Sequence, residues 1–89
     1  MSKNIIFAPK ALKEYEVWIS EDVKTAKKII RLIKDIQRDS FNGLGHPEPL
    51  KHDFSGYWSR EINQKDRLVY KVLTNGDIEI AQCKGHYND

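Results

Sequence analysis

Three polar side chains of different chemistry lie far apart in this sequence, and together they could cleave a phosphodiester bond. Glu48 lies between two prolines, Arg67 precedes an apolar run, and His86 lies near the end of the sequence. A carboxylate can take a proton from a 2′-hydroxyl, a guanidinium can hold the charged phosphate, and an imidazole can protonate the leaving 5′-oxygen. These are the groups that a metal-free ribonuclease needs.

Length and composition indicate one globular domain over residues 1–89. Hydrophobic residues make up 39% of the 89 residues and charged residues 31%, which excludes a disordered or membrane-spanning chain. The first ten residues contain no apolar run typical of a signal peptide. The lone Cys83 excludes an internal disulfide and cannot build a zinc site. We therefore expect a cytoplasmic protein without a metal or other cofactor.

The positive charge is concentrated in one segment. The net charge is only +2, but residues 24–38 contain six basic side chains and a single acid, Asp35. Such a basic helix face is typical of RNA-binding proteins, and an ordinary solvated helix face has the same composition. Charge alone leaves both interpretations open.

Apolar periodicity predicts the elements that must position these side chains. Two amphipathic segments predict helices, from Pro9 to about Ser20 and over residues 23–39, with Ser20 or Asp22 as the cap of the second. Runs of strand character predict four strands, at residues 4–7, 57–63, 67–73 and 78–84. Residues 40–56 are expected to form a loop, and Asn75-Gly76 a hairpin turn. The order βααβββ predicts an α+β fold with two helices on one face of an antiparallel sheet.

Several segments of the chain resemble the YoeB branch of the RelE toxin superfamily. The likeness spans nearly the whole chain and includes residues 46–52, 56–60 and 67–70 and the pair His86-Tyr87. Its most specific part is Pro47-Glu48-Pro49-Leu50-Lys51-His52, followed by Trp58-Ser59-Arg60. The resemblance implies a RelE-like fold and a metal-independent messenger RNA interferase, the toxin half of a type II toxin–antitoxin pair.

Residue roles follow from the resemblance, position by position. It implies that Glu48 is the general base, that Arg67 holds the phosphate and that His86 is the general acid. Tyr87 would stack on a base or orient the phosphate. Lys51 and Arg60 would bind substrate, with a merely solvated side chain as the alternative for Lys51. We expect Trp18, Trp58 and Tyr70 to belong to the core instead.

The same resemblance implies the substrate and the partners. The expected activity is cleavage of messenger RNA in the ribosomal A site, which leaves a 2′,3′-cyclic phosphate. The expected partner is an acidic YefM-type antitoxin, and a homodimer is left open. One alternative is a ParE-like toxin that poisons gyrase, although Glu48 together with His86 argues against it. Another is a binding module with a decayed site, because Glu61 stands where relatives commonly have an arginine.

Overall fold

Two consecutive helices form one layer of the protein, which is described by a computed structural model over residues 3–86. Helix α1 spans Pro9–Glu21 and helix α2 spans Val23–Arg38. Pro9 lies in the first turn of α1, where its missing N–H leaves no intrahelical bond unmade. Asp22 caps α2, since its carboxylate accepts from the Thr25 amide at 3.1 Å and from the Thr25 hydroxyl at 2.8 Å.

Five strands form the second layer: β1 (Ile5–Phe7), β2 (Glu48–Pro49), β3 (Trp58–Glu61), β4 (Arg67–Val72) and β5 (Ile78–Gln82). Their order in the sheet is β1-β5-β4-β3-β2. The predicted α+β fold with both helices on one face is confirmed. The sheet is mixed rather than antiparallel, however. Strands β3, β4 and β5 form an antiparallel meander, but β5 runs in the same direction as β1 and pairs with it in parallel.

The segment predicted as a loop over residues 40–56 contains two short ordered elements. Strand β2 pairs antiparallel with β3, and a 3₁₀ turn follows at His52–Phe54. Pro49 cannot donate a hydrogen bond to a neighbouring strand, which suits β2 to the edge of the sheet. Glu48 is therefore a strand residue and not a residue of a free turn.

The core lies between the helices and one face of the sheet. Helix α2 contributes a buried stripe, and β4 and β5 contribute the sheet side; these residues are Ala26, Ile29, Leu32, Ile33, Ile36, Leu68, Tyr70, Ile78 and Ile80. Trp18 and Tyr70 are buried in this core and Trp58 packs against it, as predicted. Helix α1 buries Ala11 and Trp18 and leaves Leu12 about half exposed.

The hairpin predicted at Asn75-Gly76 joins β4 to β5. The Gly76 amide donates to the Leu73 carbonyl at 2.9 Å, and Gly76 has a φ of 93°, which favours glycine. Within residues 3–86, neither helix is long and apolar enough to cross a membrane.

Candidate active site

The pleat of the sheet divides its side chains between the core and an outer face, the face turned away from the helices. Leu68 and Tyr70 belong to the core, so Arg67, Val69 and Lys71 project from β4 on the outer face. Residues directly opposite each other on neighbouring strands share a face. The register can therefore be followed across the sheet.

One row of the outer face crosses four strands. Glu48 of β2 is opposite Ser59, Ser59 is opposite Val69, and Val69 is opposite Gln82. A β-bulge between Val69 and Tyr70 shifts the β4–β5 register and brings Gln82 into this row. The candidate base and the end of the last strand thus lie on the same face.

Glu48 is exposed, and backbone hydrogen bonds on both sides of it fix its strand. The Gly45 carbonyl accepts from the Glu61 amide at 2.7 Å, and the Leu50 amide donates to the Tyr57 carbonyl at 2.9 Å. The flanking prolines restrict φ on either side. The carboxylate is therefore presented to solvent from a backbone that has few alternative conformations.

Arg67 begins β4 and is partly exposed. Its Nη1 donates to the Asn63 carbonyl at 2.7 Å and to the Asp66 carbonyl at 3.1 Å, which orients the guanidinium beside the β3–β4 turn. Strand spacings place its Cα about 10 Å across and about 7 Å along the sheet from that of Glu48, so about 12 Å away. The two residues therefore share the outer face at a separation of two strands.

His86 is exposed and lies next to the start of β4. The Arg67 amide donates to the Gly85 carbonyl at 3.0 Å, so the residue before the histidine is hydrogen-bonded to the arginine backbone. The structure thereby brings His86 into the neighbourhood of Arg67. The predicted stacking residue, Tyr87, lies outside the described residues.

Lys51 is exposed, lies two residues after the end of β2 and directly precedes the 3₁₀ turn. Its carbonyl accepts from the Phe54 amide at 3.0 Å, which fixes the backbone at this point. Lys51 therefore stays at the same edge of the sheet as Glu48.

The structure removes Arg60 from the candidate site. Its side chain faces the helices and is completely buried. Nη1 donates to Asp35 at 2.6 Å and to the Leu44 carbonyl at 2.9 Å, and Nη2 donates to the Asp39 carbonyl at 2.7 Å. A guanidinium whose donors are satisfied inside the protein cannot also bind substrate, so the predicted substrate contact of Arg60 is corrected to a structural one.

The acid at position 61 lies directly opposite the candidate phosphate clamp. Glu61 pairs with Arg67 in the β3–β4 register and is exposed on the outer face. The nearby Lys65 lies in the β3–β4 turn, so the residue opposite Glu61 is Arg67 and not this lysine. The charge of Glu61 is therefore close to the place where a phosphate would bind.

Sequence reasoning missed other residues of the outer face. Tyr57 and Lys71 lie there, with the lysine Nζ 5.3 Å from the centre of the ring. Gln82 and Asp66 are buried polar residues beside His86. Alternation from Arg67 along β4 predicts that Lys71 lies on this face. The same rule fails for Gln82, because the register shift between β4 and β5 changes the face on which it lies.

Two other features do not include Glu48, Arg67 or His86. Burial raises the pKa of the Cys83 thiol to about 12, helped by Glu14, so the thiol stays protonated and inert. A groove of about 450 Å³ lies between α2 and the β3–β4 turn, lined in part by Lys28, Arg31 and Leu44, and neither Glu48 nor Arg67 borders it. Among residues 3–86, no three histidine, cysteine or acidic residues are grouped to hold a metal ion.

Comparison with known proteins gives the chain a family. Residues 7–87 match the family model described as the YoeB-like toxin of bacterial type II toxin–antitoxin systems. The chain belongs to this family. It is 49% identical over 83 residues to Toxin YoeB of Streptomyces coelicolor, which covers 93% of this chain and 98% of that relative.

Solved structures of similar chains have the same fold. The YoeB/ParE toxin from Agrobacterium tumefaciens superposes with a TM-score of 0.91 at 40% identity, covering 94% of this chain and 99% of that one. YoeB of Staphylococcus aureus has been solved as a dimer, with a TM-score of 0.88 at 43% identity, and as a YoeB-YefM complex, with 0.87 at 44%. Both cover 98% of this chain and 100% of theirs. The predicted membership of the YoeB branch is thereby confirmed.

Proposed function

We propose that this YoeB-family toxin is a metal-independent endoribonuclease that cleaves messenger RNA in the ribosomal A site. Glu48 removes the proton from a 2′-hydroxyl, and the resulting oxygen attacks the adjacent phosphorus. The bond from phosphorus to the 5′-oxygen breaks, and the protonated imidazole of His86 donates its proton to that oxygen. The products are a 2′,3′-cyclic phosphate and a 5′-hydroxyl.

Arg67 and Lys51 stabilise the charge that develops during this reaction. The planar guanidinium offers two donors to the non-bridging phosphate oxygens, and the lysine adds a point charge at the other edge of the site. Tyr87 would stack on an exposed base of the substrate. Arg60 contributes only by supporting the fold.

The hydrogen bond from the Arg67 amide to the Gly85 carbonyl is the observation that carries this proposal. It supports a site in which the histidine and the arginine meet at one end of the outer face, in reach of the row that contains Glu48. Acid, base and phosphate clamp must surround one scissile bond, and the shared outer face of Glu48 and Arg67 supports such a site.

The proposed partners are an antitoxin, a second copy and the ribosome with its messenger RNA. An acidic YefM-type segment would complement Arg67 and Lys51 and would cover the outer face. The S. aureus relatives, solved as a YoeB-YefM complex and as a dimer, support the first two partners. A ribosomal substrate places the activity in the cytoplasm.

A binding module without catalytic activity is the second candidate function. Glu61 directly opposite Arg67 favours it, because an acid beside the clamp weakens phosphate binding there. A toxin that poisons gyrase is less well supported, since Glu48 and His86 supply an acid–base pair that such a toxin does not need.

Single-turnover cleavage on ribosomes programmed with a defined message separates these candidates. We expect His86→Gln and Glu48→Gln each to slow cleavage on the order of a hundredfold or more, because each removes a proton-transfer group. His46→Gln is the matched control, since His46 is also an exposed loop histidine, and it should cleave at the wild-type rate. Intact message with the wild-type protein would favour the binding module.

A further inference from the structure

The backbone on either side of Gly85 is held by two buried polar side chains that the reaction does not use. Asp66 is only 5% exposed although it lies in the β3–β4 turn, and Gln82 is only 6% exposed although it is the last residue of β5. Buried polar groups are retained only where hydrogen bonds satisfy them. Their partners therefore indicate what these side chains are for.

Asp66 fixes Gly85 from the β3–β4 turn. Its Oδ1 accepts from the Gly85 amide at 2.7 Å, and its Oδ2 accepts from the Asn63 side-chain amide at 3.0 Å. Asn63 Oδ1 in turn accepts from the Asp66 amide at 2.7 Å. The carboxylate is thus locked in place by the turn that directly precedes Arg67.

Gln82 holds the same segment from the end of β5. Its Nε2 donates to the Gly85 carbonyl at 3.1 Å and to the His86 carbonyl at 3.2 Å. The Gly85 carbonyl also accepts from the Arg67 amide. Gly85 has a φ of 83°, so the chain turns sharply here in a conformation that favours glycine.

We propose that Asp66 and Gln82 are positioning residues that clasp the backbone of Gly85 and His86 against the start of β4. The clasp fixes the origin of the His86 side chain relative to Arg67, so that the imidazole reaches the leaving oxygen while the guanidinium holds the phosphate. Without the clasp, an exposed segment beyond the last strand would sample many conformations, and a misplacement of about 1 Å can slow a reaction about a hundredfold.

This role in cleavage rests on the proposed function, so the test has one measurement that needs no RNA. In the wild-type protein, amide hydrogen exchange followed by NMR should show protection of Gly85 and Arg67. Gln82→Leu keeps a side chain of similar size but removes both donors, and Asp66→Ala removes the acceptor. We expect Asp66→Ala to lose the Gly85 protection, Gln82→Leu to weaken the Arg67 protection, and both variants to give a mobile His86 imidazole signal.

Single-turnover cleavage is the second measurement. We expect Gln82→Leu and Asp66→Ala to lower the cleavage rate constant about ten- to a hundredfold while ribosome affinity stays within about twofold. Asp66→Asn retains an oxygen acceptor and should recover most of the rate. Gln37→Leu is the matched control, because the Gln37 amide donates to the Lys3 carbonyl at 2.8 Å, outside the candidate site, and it should leave the rate unchanged.

The outcomes distinguish failure of the positioning role of Asp66 and Gln82 from failure of the proposed ribonuclease function. Lost protection with wild-type cleavage rates would overturn the positioning role and leave the proposed function standing. Retained protection and an ordered imidazole in both variants would overturn the clasp itself. A wild-type protein that leaves messenger RNA intact would overturn the proposed function, and with it the part that the clasp plays in cleavage, whatever the exchange data show.

Discussion

Arg60 and Arg67 carry the same guanidinium on neighbouring strands, but the pleat of the sheet gives them opposite surroundings. Arg60 is enclosed by Asp35 and by backbone carbonyls, and Tyr70 lies beside it with its hydroxyl 3.2 Å from Nε. Arg67 is partly exposed on the outer face. Removing each guanidinium should therefore affect different properties of the protein.

We expect Arg60→Ala to lower the free energy of unfolding by about 3–5 kcal/mol, because the completely buried side chain and its hydrogen bonds to Asp35 and to backbone carbonyls would be lost. Arg67→Ala should change stability by less than about 1 kcal/mol and should slow cleavage instead. Urea unfolding followed by circular dichroism measures the first effect. Equal stability of the two variants would contradict the structural role of Arg60.

The carboxylate of Asp35 makes stability depend on pH. The Leu44 amide and the Arg60 guanidinium lower the pKa of Asp35 from 3.8 to about 2. A pKa depressed in the folded state stabilises the protein above the unfolded value, and this contribution is lost as pH falls through the folded value. We expect a loss of about 1–2 kcal/mol between about pH 4 and pH 2, after solvent screening. Urea unfolding of Asp35→Asn across that range should show a smaller change; an equal change would contradict the assignment.

At the scale of elements, the loop that follows α2 is held by the interior of the protein. The buried Tyr70 hydroxyl donates to the Ser40 carbonyl at 2.6 Å, and the Leu44 amide donates to Asp35 at 2.9 Å. Gly43, with a φ of 128°, passes directly against the Asp35 carboxylate. This loop connects α2 to β2, so its packing determines the position of Glu48, the first residue of β2.

We expect Gly43→Ala to be more destabilising than Gly56→Ala. Both glycines have a positive φ, which costs an alanine about 1–2 kcal/mol. Only at Gly43 would a methyl group also collide with Asp35 and Arg38, whereas the space around Gly56 is open. The collision should add about 1–3 kcal/mol. Thermal unfolding of the two variants measures the difference, and equal melting temperatures would show that the loop can move away from Asp35.

The elements of this fold were predictable to different degrees. Both helices follow from regular apolar spacing, and their observed bounds differ from the predicted ones by a residue or so. Strand β2 was not predictable, since two residues, one of them a proline, are too few to show an alternating pattern. The parallel pairing of β1 with β5 depends on packing between distant segments, which local patterns do not encode.

The candidate site shows the same division. Glu48, Arg67 and His86 were predicted through resemblance, because residues so far apart in the sequence can form a site only where the fold brings them together. The burial of Arg60 could have been anticipated. Arg60 is two residues from the apolar Trp58 and two from the apolar Ile62, and residues two apart in a strand share a face. The place of Gln82 on the outer face could not have been anticipated, because the register shift between β4 and β5 breaks the alternation that would have revealed it.

At the scale of the whole molecule, the basic side chains of α2 lie away from the core. Lys24, Lys28 and Arg31 are exposed, while the opposite side of the helix is buried against the sheet. A positive surface of this kind strengthens association with the phosphate backbone of RNA and makes it sensitive to salt. In the proposed function, this surface adds to ribosome affinity without taking part in cleavage.

We expect Lys28→Glu with Arg31→Glu to weaken ribosome binding about tenfold or more and to make its salt dependence shallower. Lys10→Glu with Lys13→Glu makes the same charge change on α1, where both lysines are also exposed, and is the matched control. Binding measured by sedimentation over a series of salt concentrations tests the difference. Equal losses in both variants would indicate that only net charge matters.

The parallel pairing of β1 with β5 also affects when, during synthesis, the protein can complete its sheet. Residues joined across this pair lie 73 positions apart, as in the bond from the Asn4 amide to Asp77. Contacts between such distant segments cannot form until nearly the whole chain has been synthesised. A chain that has not yet been synthesised as far as β5 therefore lacks the parallel edge of the sheet, so this part of the fold forms late.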